Sequence, residues 1–307
     1  MKRTTAILAV VFILFQFLGA AEERVEKSFD VRPGGTLFVD TRSGSIEVLT
    51  HNKDVVDIEI TFKSKFAGES KLTKYMKEMD LKFGTEGDDV HIVLEKEDDS
   101  IFSGWWKGLN VRFDIKVPKT YNVNLETSGG SIHVGDLDGT VYSHTSGGSL
   151  KFGKITGKVR GKTSGGSIRL EGCMGPVEVK TSGGSITIGE VKGQVQAHTS
   201  GGSISVDEVM GAIQAHTSGG SVTAKITKQP ENDCELKTSG GSIHVYLAED
   251  IGMHLDAKTS GGRVRTDFPV TISGDISKHF LNADINGGGP ELLLRTSGGG
   301  IYIERNN

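Results

Sequence analysis

Apolar and polar residues alternate with period two along most of this chain, in short runs that recur at a fixed step. Counted from the threonine of each Thr-Ser-Gly-Gly segment, apolar residues stand at +5 and +7: Ile132/Val134, Leu150/Phe152, Ile168/Leu170, Ile186/Ile188, Ile204/Val206, Val222/Ala224 and Ile243/Val245. They also stand at −4 and −2, as in Val123/Leu125, Val177/Val179, Val195/Ala197 and Ile213/Ala215. Period-two alternation marks a strand with one buried face. Each unit therefore holds two short strands and two turns.

The segment Thr-Ser-Gly-Gly occurs nine times, at Thr127, Thr145, Thr163, Thr181, Thr199, Thr217, Thr238, Thr259 and Thr296. The first six are 18 residues apart, the next two steps are 21 and the last is 37. A short fixed period means one supersecondary unit stacked on copies of itself. Two strands per 18 residues without helices predict an all-β chain, a parallel β-solenoid whose coils pair ~4.8 Å apart. Each threonine falls two residues after an inward position, so its hydroxyl points inward and serves turn backbone groups. The paired glycines predict positive φ or close approach of stacked backbones. A further glycine at +12 (Gly139, Gly157, Gly175, Gly193, Gly211) marks the second turn, preceded at +10 by Leu137, Ile155, Cys173, Val191 and Val209.

The ends are less regular. Lys2 and Arg3 precede the apolar run Ala6–Phe15, then Gly19-Ala20-Ala21 and the acidic Glu22-Glu23, the order of a secretory signal peptide. The boundaries read as a signal peptide over 1–21, an irregular β region and cap over 22–126, regular repeats over 127–266, and a C-terminal coil and cap over 267–307. Residues 35–48 already match a coil, with Arg42-Ser43-Gly44 in place of Ser-Gly-Gly. Leu72, Tyr75, Met76 and Met79 predict one short helix, with Ser70 as its N-cap. The segment Leu292–Ile303 predicts a final coil that closes the stack. The signal peptide, with no second apolar segment of membrane-spanning length after it, predicts export to the periplasm, the cell surface or the medium.

Two cysteines remain in an exported chain, which invites a disulfide. The repeat frame puts Cys173 at an inward +10 slot and Cys234 at an inward −4 slot three coils away, farther than a bridge spans. Two buried free thiols are expected.

Composition narrows the function more than it names it. The formal net charge is −4, and no basic run or base-stacking platform occurs, so nucleic acid is not an expected partner. The residue before each repeat threonine is outward and mostly basic: His144, Lys162, Lys180, His198, His216, Lys237, Lys258 and Arg295, with Glu126 the exception. Stacking aligns these into a stripe suited to an anionic envelope glycan, with a surface protein as the other expected partner. Trp105 and Trp106 form a second candidate, for stacking on sugars or capping the open end of the stack. No cofactor or metal is expected: His198 and His216 lack a third ligand at fixed spacing. The repeated serines have no Gly-x-Ser-x-Gly elbow and no paired base. A polysaccharide-processing β-helix enzyme is the alternative. It needs carboxylates clustered in a groove, and the outward repeat columns offer none.

Several segments together resemble a known family. Recurrent Ser-Gly-Gly-Ser-Ile strands after a signal peptide, Val31-Arg32-Pro33-Gly34-Gly35, Val39-Asp40-Thr41-Arg42-Ser43-Gly44-Ser45-Ile46, Val117-Pro118-Lys119 and Ile285-Asn286-Gly287-Gly288-Gly289-Pro290 are similar to the bacterial "putative adhesin" repeat domains of unknown function. The resemblance spans nearly the whole mature chain. It implies an envelope-associated single-stranded β-helix with an adhesive or scaffold role and carries over no catalytic residue.

Overall fold

The computed structural model describes residues 12–14, 22–64, 72, 79–96 and 109–306. They hold 28 strands, and the chain divides into two compact units, residues 1–150 and 151–307. Among the described residues no helix is long and apolar enough to cross a membrane.

In the first unit the strands are β1 (Phe12–Leu14), β2 (Glu22–Asp30), β3 (Thr36–Thr41), β4 (Ser45–His51), β5 (Val55–Ser64), β6 (Met79–Glu86), β7 (Asp89–Lys96), β8 (Leu109–Pro118), β9 (Asn122–Thr127), β10 (Ile132–Val134) and β11 (Val141–Thr145). One sheet runs β1-β2-β5-β8-β4-β10 and the other β11-β9-β3-β7-β6. The coil at residues 35–48 is present as expected and gives β3 to one sheet and β4 to the other. It lies inside the unit: β3 pairs in parallel with both β7 and β9, and β4 with both β8 and β10. Beyond it the pairing turns antiparallel, β8 with β5 and β5 with β2. Of the helix expected over Ser70–Met79, Leu72 is buried and Met79 already opens β6; its other residues lie outside those described. So do the signal peptide, apart from Phe12–Leu14, and Trp105 and Trp106.

The second unit holds β12 (Leu150–Ile155), β13 (Val159–Lys162), β14 (Ile168–Cys173), β15 (Val177–Lys180), β16 (Ile186–Val191), β17 (Val195–His198), β18 (Ile204–Val209), β19 (Ile213–His216), β20 (Val222–Ile226), β21 (Cys234–Lys237), β22 (Ile243–Leu247), β23 (Met253–Thr259), β24 (Val264–Thr266), β25 (Val270–Ser277), β26 (Phe280–Ile285), β27 (Glu291–Thr296) and β28 (Ile301–Arg305). Each coil gives one strand to each of two sheets. Parallel register follows the repeat residue for residue: Ile168 faces Ile186, Ile186 faces Ile204, Val177 faces Val195 and Val195 faces Ile213. The +5, +7 and −4 positions are almost wholly buried, and between the two sheets they form the core.

One expectation is corrected. The segment Leu292–Ile303 forms a coil, but it does not close the stack. β27 pairs with β21 on one side and β23 on the other, and β28 sits between β22 and β24. The reason lies in the backbone. Asn286, Gly287, Gly288 and Gly289 all take positive φ, a turn that carries the chain from β26, antiparallel to β23, across to the other edge of β23. The end of the unit is built instead by β24 and the antiparallel β25–β26 hairpin.

The turns show what the repeat is for. Every repeat threonine is buried. Thr181 Oγ1 donates to Gly166 O of the neighbouring coil at 2.7 Å, Thr199 to Gly184 O at 2.8 Å, and Thr296 to Gly241 O at 2.7 Å. A second ladder runs beside it: Ser203 N donates to Ser185 Oγ and Ser221 N to Ser203 Oγ, each at 3.2 Å. None of the described repeat glycines needs positive φ; among the coils that applies only to Gly44 of the first. Close approach is the requirement. A Cβ on Gly220 would lie 2.5 Å from Gly202 O, and one on Gly193 2.6 Å from Gly175 O.

Both thiols are free and buried, as the frame predicts, and they belong to different sheets. Cys173 Sγ donates to Gly157 O at 3.1 Å. Burial raises both thiol pKa values, that of Cys234 to about 11.

Candidate functional site

The residue before each repeat threonine points outward because the threonine points in. In the second unit, pairing places Lys162, Lys180, His198, His216 and Lys237 on consecutive strands β13, β15, β17, β19 and β21. Arg295 of β27 comes next and Lys258 of β23 last, because the intercalated coil separates Lys237 from Lys258. Seven basic side chains thus form one column at the strand spacing of ~4.8 Å. His144 stands in the first unit, where the same position reads Asp40, Glu126, His144. The acidic break is therefore two residues, Asp40 as well as Glu126.

A second outward column tunes this one. It reads Arg160, Glu178, Gln196, Gln214, Glu235, Leu293 and Asp256 in stack order. Glu235 pairs with Lys237 and lies 3.5 Å from the His216 ring. Asp256 pairs with Arg295, which also donates to Asp256 O at 2.7 Å. At the other end Glu178 is taken by Arg160 at 3.0 Å and Lys158 at 3.8 Å. Among the described residues no carboxylate forms an ion pair with Lys162 or Lys180. Four cations there face one carboxylate, so the β13–β15 end is the least neutralised part of the column; at the other end only Lys258 has no carboxylate partner among the described residues.

The surroundings of the two central imidazoles favour their neutral form. Burial, then Lys180, then His216 hold the His198 pKa below its ordinary value; burial, then Lys237, do the same for His216. Their rings meet edge to face, 6.2 Å apart. Lys237, Arg295 and Lys258, with the turn residues Ser239, Ser260 and Ser297, line a shallow concavity of about 310 Å³.

The first unit carries a feature that the repeat columns do not reveal. Strands β2, β5, β8 and β4 place Glu26, Glu59, Asp114 and Glu47 side by side in one cross-strand row, ending at His133 of β10. These carboxylates, with Asp57, line an open concavity of about 680 Å³. The irregular region supplies this cluster through the antiparallel pairing of β2, β5 and β8, and no fixed period announces it. Its carboxylates are held by donors. Arg112 pairs with Asp114 at 2.7 Å and Glu47 at 2.5 Å, Arg24 with Glu59 at 2.9 Å, and Ser28 donates to Asp57. The hydrogen bond from His133 leads the causes that lower the Glu47 pKa, followed among attractive ones by Arg112. Among the described residues no group of three His, Cys, Asp or Glu side chains converges as a metal site.

The sequence profile of the Toastrack DUF4097 family matches residues 37–304, most of the chain. The chain belongs to that family. No curated protein matches it. Solved structures similar to this Toastrack chain include a "putative adhesin" from Bacteroides fragilis, with 11% identity, a TM-score of 0.30, and 92% of this chain and 97% of that one covered. Another, from Parabacteroides merdae and described in the same words, has 11% identity, a TM-score of 0.36, and 92% and 96% coverage. A third, from Parabacteroides distasonis, is described as a "putative lipid binding protein", with 15% identity, a TM-score of 0.36, and 92% and 97% coverage.

Proposed function

We propose that this chain is exported and acts as a non-enzymatic, adhesin-like binding protein at the cell envelope, holding an acidic surface polymer along the basic column of the second unit. Lys2-Arg3, the apolar run Ala6–Phe15 and the small residues Gly19-Ala20-Ala21 support export. The observation that carries the binding reading is the in-register column whose β13–β15 end presents Lys158, Arg160, Lys162 and Lys180 against Glu178 alone. Like charges held one strand apart repel one another, and a bound polyanion relieves that cost while releasing counterions. A repeating ligand suits a repeating surface.

The carboxylate row of the first unit is what an enzyme reading would use. A glycosidase acid must keep its proton near neutral pH, which requires a raised pKa. Glu47 is shifted the other way, and Arg24 and Arg112 pair with its neighbours Glu59 and Asp114. That environment favours a structural role for the row.

The test is co-sedimentation with polygalacturonate at low and moderate salt, with neutral dextran as control. Salt-sensitive binding to the acidic polymer is expected, weakened about tenfold in a Lys162→Gln/Lys180→Gln variant. Equal binding by the variant would overturn the reading.

A further inference from the structure

The residue after Thr-Ser-Gly-Gly is serine in seven coils and breaks from it in two, as Arg263 and Gly300. The intercalated coil makes these two exceptions neighbours, since β28 lies directly against β24. The serine ladder ends there: Gly300 N still donates to Ser242 Oγ at 3.2 Å, but Gly300 has no hydroxyl to offer onward. Its missing side chain makes room for an aromatic ring. A Cβ on Gly300 would lie 2.8 Å from Tyr302 Cε2, so the tyrosine folds over the glycine. The same ring stacks on His244 of β22, with centroids 4.6 Å apart and planes 14° from parallel.

Arg265 stands opposite Tyr302 in the sheet register. The hairpin turn between β25 and β26 closes the other side. Its backbone is tied down, with Val264 N donating to Lys278 O and Thr259 N to His279 O, each at 2.9 Å. His279 Nδ1 donates to Gly262 O at 2.7 Å, which fixes the ring. Arg263, Arg265, Lys278, His279 and Tyr302 together line a concavity of about 310 Å³, and among the described residues no carboxylate lines it. Arg263, Arg265 and Lys278 are exposed, and among the described residues no carboxylate forms an ion pair with any of them.

We propose that this concavity is a binding site for a sugar bearing an oxyanion. The two guanidinium groups and Lys278 hold the carboxylate or phosphate, since guanidinium forks match both geometries. Tyr302, braced by His244, offers an apolar ring edge with a hydroxyl for the sugar. The site shares no residue with the basic column and stands or falls separately from it.

The experiment is calorimetric and NMR titration of the protein with three probes: trigalacturonate, glucose 1-phosphate and cellotriose. Saturable binding of at least one acidic probe, with none of cellotriose, is the expected result; which acidic probe binds assigns carboxylate or phosphate. An Arg263→Ser/Arg265→Thr variant takes the residue types that other coils carry at these positions. It is expected to bind at least tenfold more weakly with an unchanged melting temperature. A Tyr302→Leu variant is expected to weaken binding while leaving the charge intact. The Lys162→Gln/Lys180→Gln variant, altered only in the column, is expected to bind these short probes normally. Binding of neither acidic probe, equal binding of cellotriose, or undiminished binding by the double arginine variant would overturn the assignment.

Discussion

Adjacent glycines of one turn should respond oppositely to the same substitution. A Cβ on Gly147 would meet nothing nearer than Gly129 O at 3.4 Å, an ordinary contact. A Cβ on Gly148 would lie 2.5 Å from Ser131 N and closer still to the Gly130 carbonyl, about 1 Å or more inside normal separation. The colliding atoms are backbone held in a ladder, so relief requires the turns to part. That stretches four hydrogen bonds: Thr145 Oγ1 to Gly130 O (2.8 Å), Ser149 N to Ser131 Oγ (3.1 Å), Ile132 N to Ser149 O (3.0 Å) and Gly147 N to Ser128 O (3.1 Å). At about 1 kcal/mol each the loss approaches ~4 kcal/mol. Replacing glycine by alanine returns roughly 0.5–1 kcal/mol through the unfolded chain. Gly148→Ala should therefore cost about 3 kcal/mol and Gly147→Ala should be neutral or slightly stabilising. Thermal unfolding followed by circular dichroism measures both, with the expected separation in melting temperature at roughly 6–10 °C. Equal shifts for the two variants would refute close approach as the reason for the second glycine.

Three further outcomes follow from other parts of the structure. Ending the chain after Pro290 removes β27 and β28 from between their partners, so amide exchange across β23 and β24 should rise to unprotected rates; retained protection there would mean the coil was only a cap. Neither Cys173 nor Cys234 should react with a thiol reagent at pH 8 while folded, and both should titrate as free thiols in unfolded, unreduced protein; a missing thiol would break the coil register. Because the His198 and His216 pKa values are lowered on folding, the unfolded chain binds more protons below about pH 6.5, and their contribution to stability is present above that value and lost as pH falls through it. A His198→Gln/His216→Gln variant should lose less stability than the parent between pH 7 and 5, and an unchanged slope would contradict the assignment.

The two-strand coil, the inward threonines and the unbridged cysteines were legible because each is a local consequence of one period. A residue's face follows from its offset to the nearest Thr-Ser-Gly-Gly, whatever the rest of the chain does. The order of the coils was not legible. Thr238, Thr259 and Thr296 carry equivalent segments, and nothing in their spacing says that the third enters between the first two. What signalled it was Asn286–Gly289, a run suited to positive φ just before a complete repeat. The candidate sites divide in the same way. The basic column is a strand-offset property and could be read directly. The Arg263–Tyr302 concavity depends on which coils touch, although Arg263 and Gly300 stood out as departures from serine. The carboxylate row depends on antiparallel pairing among β2, β5 and β8, which no repeat dictates.

The interior position of β27 and β28 also bears on how the protein is made. Both strands are synthesised after β23 and β24, yet they occupy the slot that joins those strands to β21 and β22. Until they arrive, parallel edges on both sides of that slot are unpaired, and unpaired edges recruit other chains. An interrupted product would thus be short of more than its missing residues, because it would carry open edges at a point that the finished protein hides. The arrival of β27 and β28 and the concealment of these open edges are the same event.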